Sequence, residues 1–284
     1  MDQHPFHSFF SGGADNGQTA ARKALSIAVL DSGAGGISVL SELIRLMPSE
    51  HFIYLGDAKN APYGGKTQEE VLEITLRNVE MLKKRGIKAL VIACNTATAA
   101  AVAHLREHET DLIIVGIEPA IKPAALVCER PNVLVMATEL TLKLPKYHLL
   151  AHRFDSICER IIPLPCPGLV EMIEQGIVEG PEMHGYLEKL FAPYLDGKID
   201  AVVLGCTHYR HVWGEIASFW QGRACLVDGC RGTAEQTFRM LWYDGLIRTE
   251  GEGSVDLVCT LEDPDRVALY RELLTRAKKT DFRY

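Results

Sequence analysis

The stretch that decides the fold is Ala89-Leu-Val-Ile-Ala-Cys94-Asn-Thr-Ala-Thr98. Its apolar residues 89–93 predict a buried strand, and the alanine-rich run 97–103 predicts a helix directly after it. Cys94 lies at the junction, where the first unpaired N–H groups of the helix begin. Because the positive end of a helix dipole attracts negative charge, we expect this position to favour the thiolate form of Cys94.

The same arrangement occurs again at Ala201-Val-Val-Leu-Gly-Cys206-Thr-His-Tyr209, about one domain length further along the chain. Residues 201–204 predict a strand, Gly205 a tight junction, and Cys206 the start of the next helix. A free cysteine is most often a small buried hydrophobe. Both cysteines, however, are flanked by Asn/Thr or Thr/His, which core packing does not require. The repetition therefore favours a paired functional role for the two thiols.

Length and composition indicate an ordinary globular protein with two medium-sized domains. The chain has 284 residues, of which 47% are hydrophobic and 24% charged. A net charge of −7 argues against nucleic acid or an anionic membrane as partner, and no apolar run is long enough to span a bilayer. The 8 cysteines include no Cys-x-x-Cys pair, so we expect reduced thiols, no metal site and a cytoplasmic location. We also predict a homodimer.

Strands and helices alternate from about residue 25 onward, which predicts an α/β fold with mainly parallel sheets. Residues 1–24 lack periodicity and predict a disordered extension that the fold does not need. Near residue 119 the pattern repeats at the scale of a domain. We therefore predict a first domain of residues 25–118 plus 228–284, and a second domain of residues 119–227.

Two loops at predicted strand ends are candidates for function. Asp31-Ser-Gly-Ala-Gly-Gly36 joins a strand to a helix, and its backbone N–H groups suit a small anion such as a carboxylate. It is not a dinucleotide fingerprint, because Ser38 stands where the third glycine is needed. Asp31 either caps this turn or takes part in chemistry. The second loop ends in Pro62-Tyr-Gly64, and long loops at strand ends are often functional.

Five motifs together resemble the bacterial glutamate racemase family: Asp31-Ser-Gly-x-Gly-Gly, Pro62-Tyr-Gly64, Ala93-Cys-Asn-Thr-Ala97, Gly116-Ile-Glu-Pro119 and Gly205-Cys-Thr-His-Tyr209. They occur in the family's order between about residue 25 and the end of the chain. The resemblance implies two pseudo-symmetric α/β domains with the active site in the cleft between them. It also implies interconversion of L- and D-glutamate for peptidoglycan synthesis, without a metal or other cofactor.

The resemblance further implies roles for residues that match the family's motifs. Cys94 and Cys206 match the two catalytic acid/bases, with Asp31 as partner of the first, and His208 and Glu174 as partners of the second. Glu174 precedes Gly176 as the family's active-site glutamate does, although Glu171 is an alternative. The positions expected to bind substrate are Asp31, Ser32, Pro62, Tyr63, Gly64, Asn95, Thr96, Thr138, Thr207 and His208. The chain departs from the family at Arg210, where proline is usual, and at Leu144, where serine is usual.

The chemistry also follows from the residues. Racemisation removes a proton from one face of Cα and returns one to the other, so it needs two acid/base groups on opposite faces. The family implies that Cys94 takes the proton from D-glutamate and Cys206 from L-glutamate. One alternative is an aspartate racemase or a related cofactor-free decarboxylase. Another, from a different class, is a small-molecule-binding regulator whose thiols only line a cleft.

Overall fold

The computed structural model describes residues 16–279, in which strands and helices alternate. The strands are β1 (Ser26–Asp31), β2 (His51–Gly56), β3 (Ile87–Ile92), β4 (Ile113–Gly116), β5 (Asn132–Ala137), β6 (Arg160–Pro165), β7 (Ala201–Leu204), β8 (Cys225–Asp228) and β9 (Ser254–Cys259). The helices are α1 (Asn16–Ala24), α2 (Ile37–Leu46), α3 (Gln68–Lys83), α4 (Asn95–His108), α5 (Ile121–Ala124), α6 (Glu139–Lys143), α7 (Pro145–His152), α8 (Leu169–Glu174), α9 (Pro181–Phe191), α10 (Trp213–Trp220), α11 (Cys230–Tyr243) and α12 (Pro264–Lys279). Short 3₁₀ helices cover Tyr63–Gly65, Ala192–Tyr194 and Thr207–Val212.

The strands form two parallel sheets, each at the centre of an α/β domain. The first has the order β4-β3-β1-β2-β9 and the second the order β6-β5-β7-β8. Every paired neighbour runs parallel. The first sheet takes β9 from late in the chain, whereas the second uses four consecutive strands. The predicted class, α/β with two domains and mainly parallel sheets, is confirmed.

Helices cover both faces of each sheet, which explains why the strands are apolar throughout. In β3 all six residues are buried. Successive side chains of a strand point to opposite faces. Val91 packs with α2, α11 and α12, whereas Leu90 and Ile92 pack with α3 and α4. Complete burial of one such side chain stabilises the fold by roughly 1.5–3 kcal/mol.

The predicted disordered extension differs from the structure over part of its length. Residues 16–24 form α1, and residues 1–15 lie outside the described part of the chain. The end of α1 is joined to the first domain, because Lys88 Nζ donates to the Lys23 carbonyl at 2.8 Å and Arg22 donates to the Asp111 carbonyl at 2.9 Å. The prediction failed here because these partners lie far away in sequence.

Between residues 16 and 279, no helix combines the length and the apolar character that crossing a membrane requires.

Candidate active site

A cavity of about 230 Å³ lies at the carboxyl ends of the central strands of both sheets. Parallel α/β sheets bind ligands at this edge. Ser32 and Cys94 reach the cavity from the ends of β1 and β3, and Thr138 and Cys206 from the ends of β5 and β7. The full lining is Ser32, Pro62, Tyr63, Gly64, Gly65, Cys94, Asn95, Thr96, Thr138, Glu139, Thr141, Cys166, Pro167, Gly168, Val170, Glu171, Gly205, Cys206, Thr207 and His208.

Cys94 lies at the start of α4, as predicted, but its protonation differs from the prediction. Its Sγ accepts the Ala97 N–H at 3.4 Å, and the Ser32 side chain also hydrogen-bonds it. Both contacts favour the thiolate. Burial, followed by the neighbouring Asp31 carboxylate, outweighs them and raises the pKa of Cys94 to about 12. Cys94 is therefore a thiol at neutral pH.

Asp31 connects the two domains at the base of the site. Its Oδ1 accepts the Gly33 N–H at 2.9 Å, and its Oδ2 accepts the Thr207 hydroxyl at 3.2 Å. Burial raises the pKa of Asp31, and the charge of His208 opposes that rise. Asp31 thus acts on Cys94 through its charge and on the second domain through Thr207.

Cys206 has a different set of neighbours. Its Sγ lies 3.7 Å from His208 Nδ1, and His208 Nε2 lies 2.6 Å from Glu174 Oε1. Burial lowers the pKa of His208, but hydrogen bonds to Cys206 and Glu174 outweigh it and raise that pKa well above the usual value. Burial raises the pKa of Glu174, but its bond to His208 leaves it lower than usual. The pair is therefore an imidazolium and a carboxylate at neutral pH.

The proton between these two residues lies on the ring nitrogen. Nε2 also approaches the Gly35 N–H at 3.2 Å, a contact that requires Nε2 to accept. The 2.6 Å contact with Glu174 is much shorter and charge-assisted, so Nε2 donates to the carboxylate. Nδ1 then faces Cys206, where it can share a proton with Sγ.

The glycine-rich turn after β1 binds a carboxylate, as the sequence suggested, but the carboxylate belongs to the protein. The Ala34 N–H donates to Glu174 Oε1 at 2.6 Å. A Cβ at Gly33 would lie 2.0 Å from the same oxygen, and one at Gly35 would lie 2.3 Å from His208 Nδ1. These positions must lack a side chain so that the turn can reach Glu174 and His208 of the second domain.

Polar groups from both domains also meet at the other end of the cavity. Thr96 Oγ1 lies 3.1 Å from Thr138 Oγ1 and 3.0 Å from Thr141 Oγ1. Asn95 Oδ1 is buried without a hydrogen-bond partner among residues 16–279. Since buried acceptors are normally paired, this oxygen is available to a donor in the cavity.

The loop through Pro62 contributes the ring of Tyr63 to the cavity wall, while the Tyr63 hydroxyl points elsewhere. That hydroxyl donates to Asp57 Oδ2 at 2.6 Å and accepts from Asn78 Nδ2 at 3.3 Å. Gly64 lies against Thr138, where a Cβ would come within 2.9 Å of that side chain. The loop therefore closes the cavity from the first domain.

The structure brings the residues predicted from sequence together around this cavity. Asp31 and Glu174 do not line it and lie behind Thr207 and His208. Glu171 lines it, whereas Glu174 is the glutamate that holds His208. Apart from Glu171, which the sequence offered as the alternative to Glu174, the lining residues missing from the predicted set are Gly65, Glu139, Thr141, Cys166, Pro167, Gly168, Val170 and Gly205.

Among these missed residues, Thr141 had a sequence signal only through its neighbour, because Thr138 is a typical N-cap residue and its side chain caps α6 by accepting the Thr141 N–H. Within the described residues, the lining contains no Lys or Arg. The same residues contain no group of three or more His, Cys, Asp or Glu side chains arranged to hold a metal. An anionic ligand in this cavity would therefore be bound by polar side chains and by N–H groups at helix N-termini.

Residues 18–237, more than half of the chain, match the Asp/Glu/Hydantoin racemase family. This match, with two thiols facing one cavity in a two-domain α/β fold, defines the class as an amino-acid racemase, an isomerase.

Similar proteins with assigned names identify the family within this class. The chain is 47% identical over 249 residues to the glutamate racemase of Clostridium acetobutylicum, covering 87% of this chain and 96% of that protein. It is 42% identical over 253 residues to a glutamate racemase of Clostridium perfringens, covering 89% and 97%. The glutamate racemase structure from Bacillus anthracis superposes with a TM-score of 0.79 at 29% identity, covering 89% and 94%. The structure from Escherichia coli, a complex with L-glutamate and the activator UDP-MurNAc-ala, gives 0.77 at 30% identity, covering 89% and 95%. The chain belongs to the glutamate racemase family, which confirms the resemblance seen in the sequence.

Proposed function

We propose that this chain interconverts L- and D-glutamate by moving the α-proton between two thiols, Cys94 and Cys206. The observation that carries the proposal is that both thiols face one cavity but have opposite electrostatic surroundings. Cys94 is buried beside the Asp31 carboxylate, and Cys206 lies beside the His208 imidazolium. Such a difference keeps one thiol protonated while the other is ready to accept a proton.

The proton transfers balance in both directions. From L-glutamate, the Cys206 thiolate takes the α-proton and the Cys94 thiol returns one to the opposite face. Release of D-glutamate gives an enzyme with a Cys94 thiolate and a Cys206 thiol. This form of the enzyme is the one that reacts with D-glutamate in the reverse direction. His208 holds the proton nearest to Cys206 and can exchange it with Sγ across the 3.7 Å contact.

Several groups suit the zwitterionic substrate. The first turn of α4, a helix of 14 residues, presents N–H groups and a positive dipole end to a carboxylate. Asn95 Oδ1 is a free acceptor for the ammonium group, and the threonine hydroxyls can bind the second carboxylate. The Francisella tularensis glutamate racemase structure, at 25% identity and a TM-score of 0.77, is a complex with D-glutamate.

Wider parts of the proposal rest on membership of the family. They are a supply of D-glutamate to peptidoglycan synthesis, catalysis without a metal or pyridoxal phosphate, a homodimeric state and a cytoplasmic location. The domain division into residues 25–118 plus 228–284 and residues 119–227 is supported by the strands that each sheet contains.

The decisive assay follows optical activity by circular dichroism with L-glutamate or L-aspartate as substrate and no added cofactor. We expect the signal to decay to zero with glutamate, before and after exhaustive chelation, and to persist with aspartate. Preferential decay with aspartate would support an aspartate racemase instead. No decay with either amino acid would contradict the proposal and favour a binding protein.

A further inference from the structure

Arg266 lies in the first turn of α12 and reaches the site from outside the cavity. The matched family segment ends at residue 237, so α12 is not part of it. One helical turn further on, Tyr270 is fully buried, and its ring packs edge-on against Tyr54 at a centroid distance of 5.4 Å. Residues four apart lie on the same face of a helix, so the packing of Tyr270 also fixes the position of Arg266 relative to the site.

The Arg266 guanidinium binds one residue twice. Its Nη1 donates to the Glu174 carbonyl at 2.9 Å and to Glu174 Oε2 at 2.9 Å. Glu174 is the last residue of α8, where helical carbonyls lack partners within the helix. Arg266 therefore fixes both the backbone and the carboxylate of Glu174, and it does so from the first domain.

The hydrogen bonds to the Glu174 carboxylate all help to fix its orientation toward His208. Arg266 holds Oε2, while Ala34 N–H and His208 Nε2 both donate to Oε1, each at 2.6 Å. With Oε2 held, Oε1 stays aimed at His208, and His208 stays beside Cys206. The positive charge of Arg266 also favours the ionised form of Glu174 and helps to lower its pKa.

We propose that Arg266 is a positioning residue for racemisation, which fixes and keeps ionised the carboxylate that holds His208 beside Cys206. The inference rests on the proposed function. Arg266 does not line the cavity, so its effect passes through Glu174. Nothing in the local sequence marks it, because the two residues lie 92 positions apart.

The first test is the pH profile of kcat/KM. Arg266→Met removes the charge, so Glu174 takes up a proton at higher pH than before. We expect the acid limb of the profile to move up by about one pH unit, with a loss of about tenfold on the acid side and a smaller loss on the alkaline side. Arg266→Lys, which keeps a charge near Glu174, should restore most of the acid limb. Arg271→Met, an exposed arginine on the same helix, is the matched control and should change nothing.

A double-mutant cycle separates positioning from a general structural effect. If Arg266 acts through Glu174, adding Arg266→Met to Glu174→Gln should cost little further activity. An equal loss in both backgrounds, or a loss that is uniform across pH, would overturn the inference. Arg266→Gln, which keeps a donor for the carbonyl but removes the charge, replaces Arg266→Met if thermal melting shows that variant unfolded.

A final readout needs no substrate. In protein carrying ¹³C-labelled glutamate carboxyl groups, the resonance lost in Glu174→Gln identifies Glu174. Its titration midpoint should rise in Arg266→Met and stay in place in Arg271→Met. If the wild-type enzyme racemises glutamate but the titration midpoint of Glu174 is the same in Arg266→Met as in wild type, this inference alone is contradicted. A wild-type enzyme that does not racemise glutamate would contradict the proposed function.

Discussion

At the scale of single residues, Cys94 shows that burial can outweigh a helix dipole. The pKa of Cys94 rises from 9.0 to about 12, which corresponds to roughly 4 kcal/mol against the thiolate. The dipole at a helix N-terminus stabilises a negative charge by at most about 1–2 kcal/mol. The local sequence around Cys94 predicts the start of a helix and therefore its dipole. The burial of Cys94 and the charge of Asp31 depend on distant parts of the chain. The sequence therefore predicted the position of Cys94 and not its protonation state.

Gly33→Ala tests the close approach between the turn after β1 and Glu174. The added Cβ would lie 2.0 Å from Glu174 Oε1, so the carboxylate must leave its place beside His208. Misplacing a catalytic group by about 1 Å can cost on the order of a hundredfold, and we expect kcat/KM for glutamate to fall by that amount. Steady-state kinetics by circular dichroism measures the loss.

Gly185→Ala is the control for that substitution, because a Cβ at this helical position meets nothing within 4 Å. It should leave kcat/KM unchanged and raise the free energy of unfolding by about 0.5–1 kcal/mol. Wild-type activity in Gly33→Ala would mean that the approach to Glu174 does not matter for catalysis.

At the scale of elements, local signals were sufficient wherever the chain's own periodicity decides the structure. The apolar run before Cys94 is β3, and the alanine-rich run after it is α4. Helix α3 likewise begins at a capping box, in which the Thr67 side chain and the Glu70 side chain each accept one backbone N–H. Parallel sheets followed from the alternation of strands and helices, and so did the convergence of motifs at the strand ends.

Elements that depend on distant partners could not be predicted in the same way. Strand β6 contains Pro163 and Pro165, and proline within a run of residues ordinarily argues against a strand. Proline is tolerated there because β6 is an edge strand that pairs only with β5. Helix α1 and Arg266 were missed for the same reason, since their hydrogen-bond partners lie far away in sequence.

At the scale of the whole molecule, the active site and the contact between the domains are built from the same groups. Asp31 binds Thr207 across the cleft, and Glu174 binds Ala34. Beneath them, Arg210 pairs with Glu42 of α2 at 2.5 Å and with Asp228 at the end of β8 at 3.2 Å. Arg210 and its two carboxylate partners therefore form a buried ion-pair cluster at that contact.

Arg210→Met tests this cluster. The substitution leaves two buried carboxylates without their shared cation, which typically costs about 3–5 kcal/mol. Glu42 keeps a contact with Arg45 at 2.8 Å, and Asp228 keeps the Cys230 N–H at 2.7 Å, so we expect the lower end of that range. Chemical denaturation gives the free energy of unfolding. Arg77→Met, at an exposed pair on α3, should change it by less than about 1 kcal/mol, and an equally small change in Arg210→Met would contradict the prediction.

The central claim, that each thiol serves one face of Cα, is tested most directly by hydrogen exchange in heavy water. Exchange is more informative than racemisation rates, because the enantiomers have equal free energies and kcat/KM must therefore be the same in both directions for any variant. We predict that Cys206→Ala still exchanges the α-proton of D-glutamate and not that of L-glutamate, that Cys94→Ala does the reverse, and that neither variant interconverts them. Equal exchange of both enantiomers by either variant would show that one base reaches both faces, and it would contradict the two-thiol mechanism.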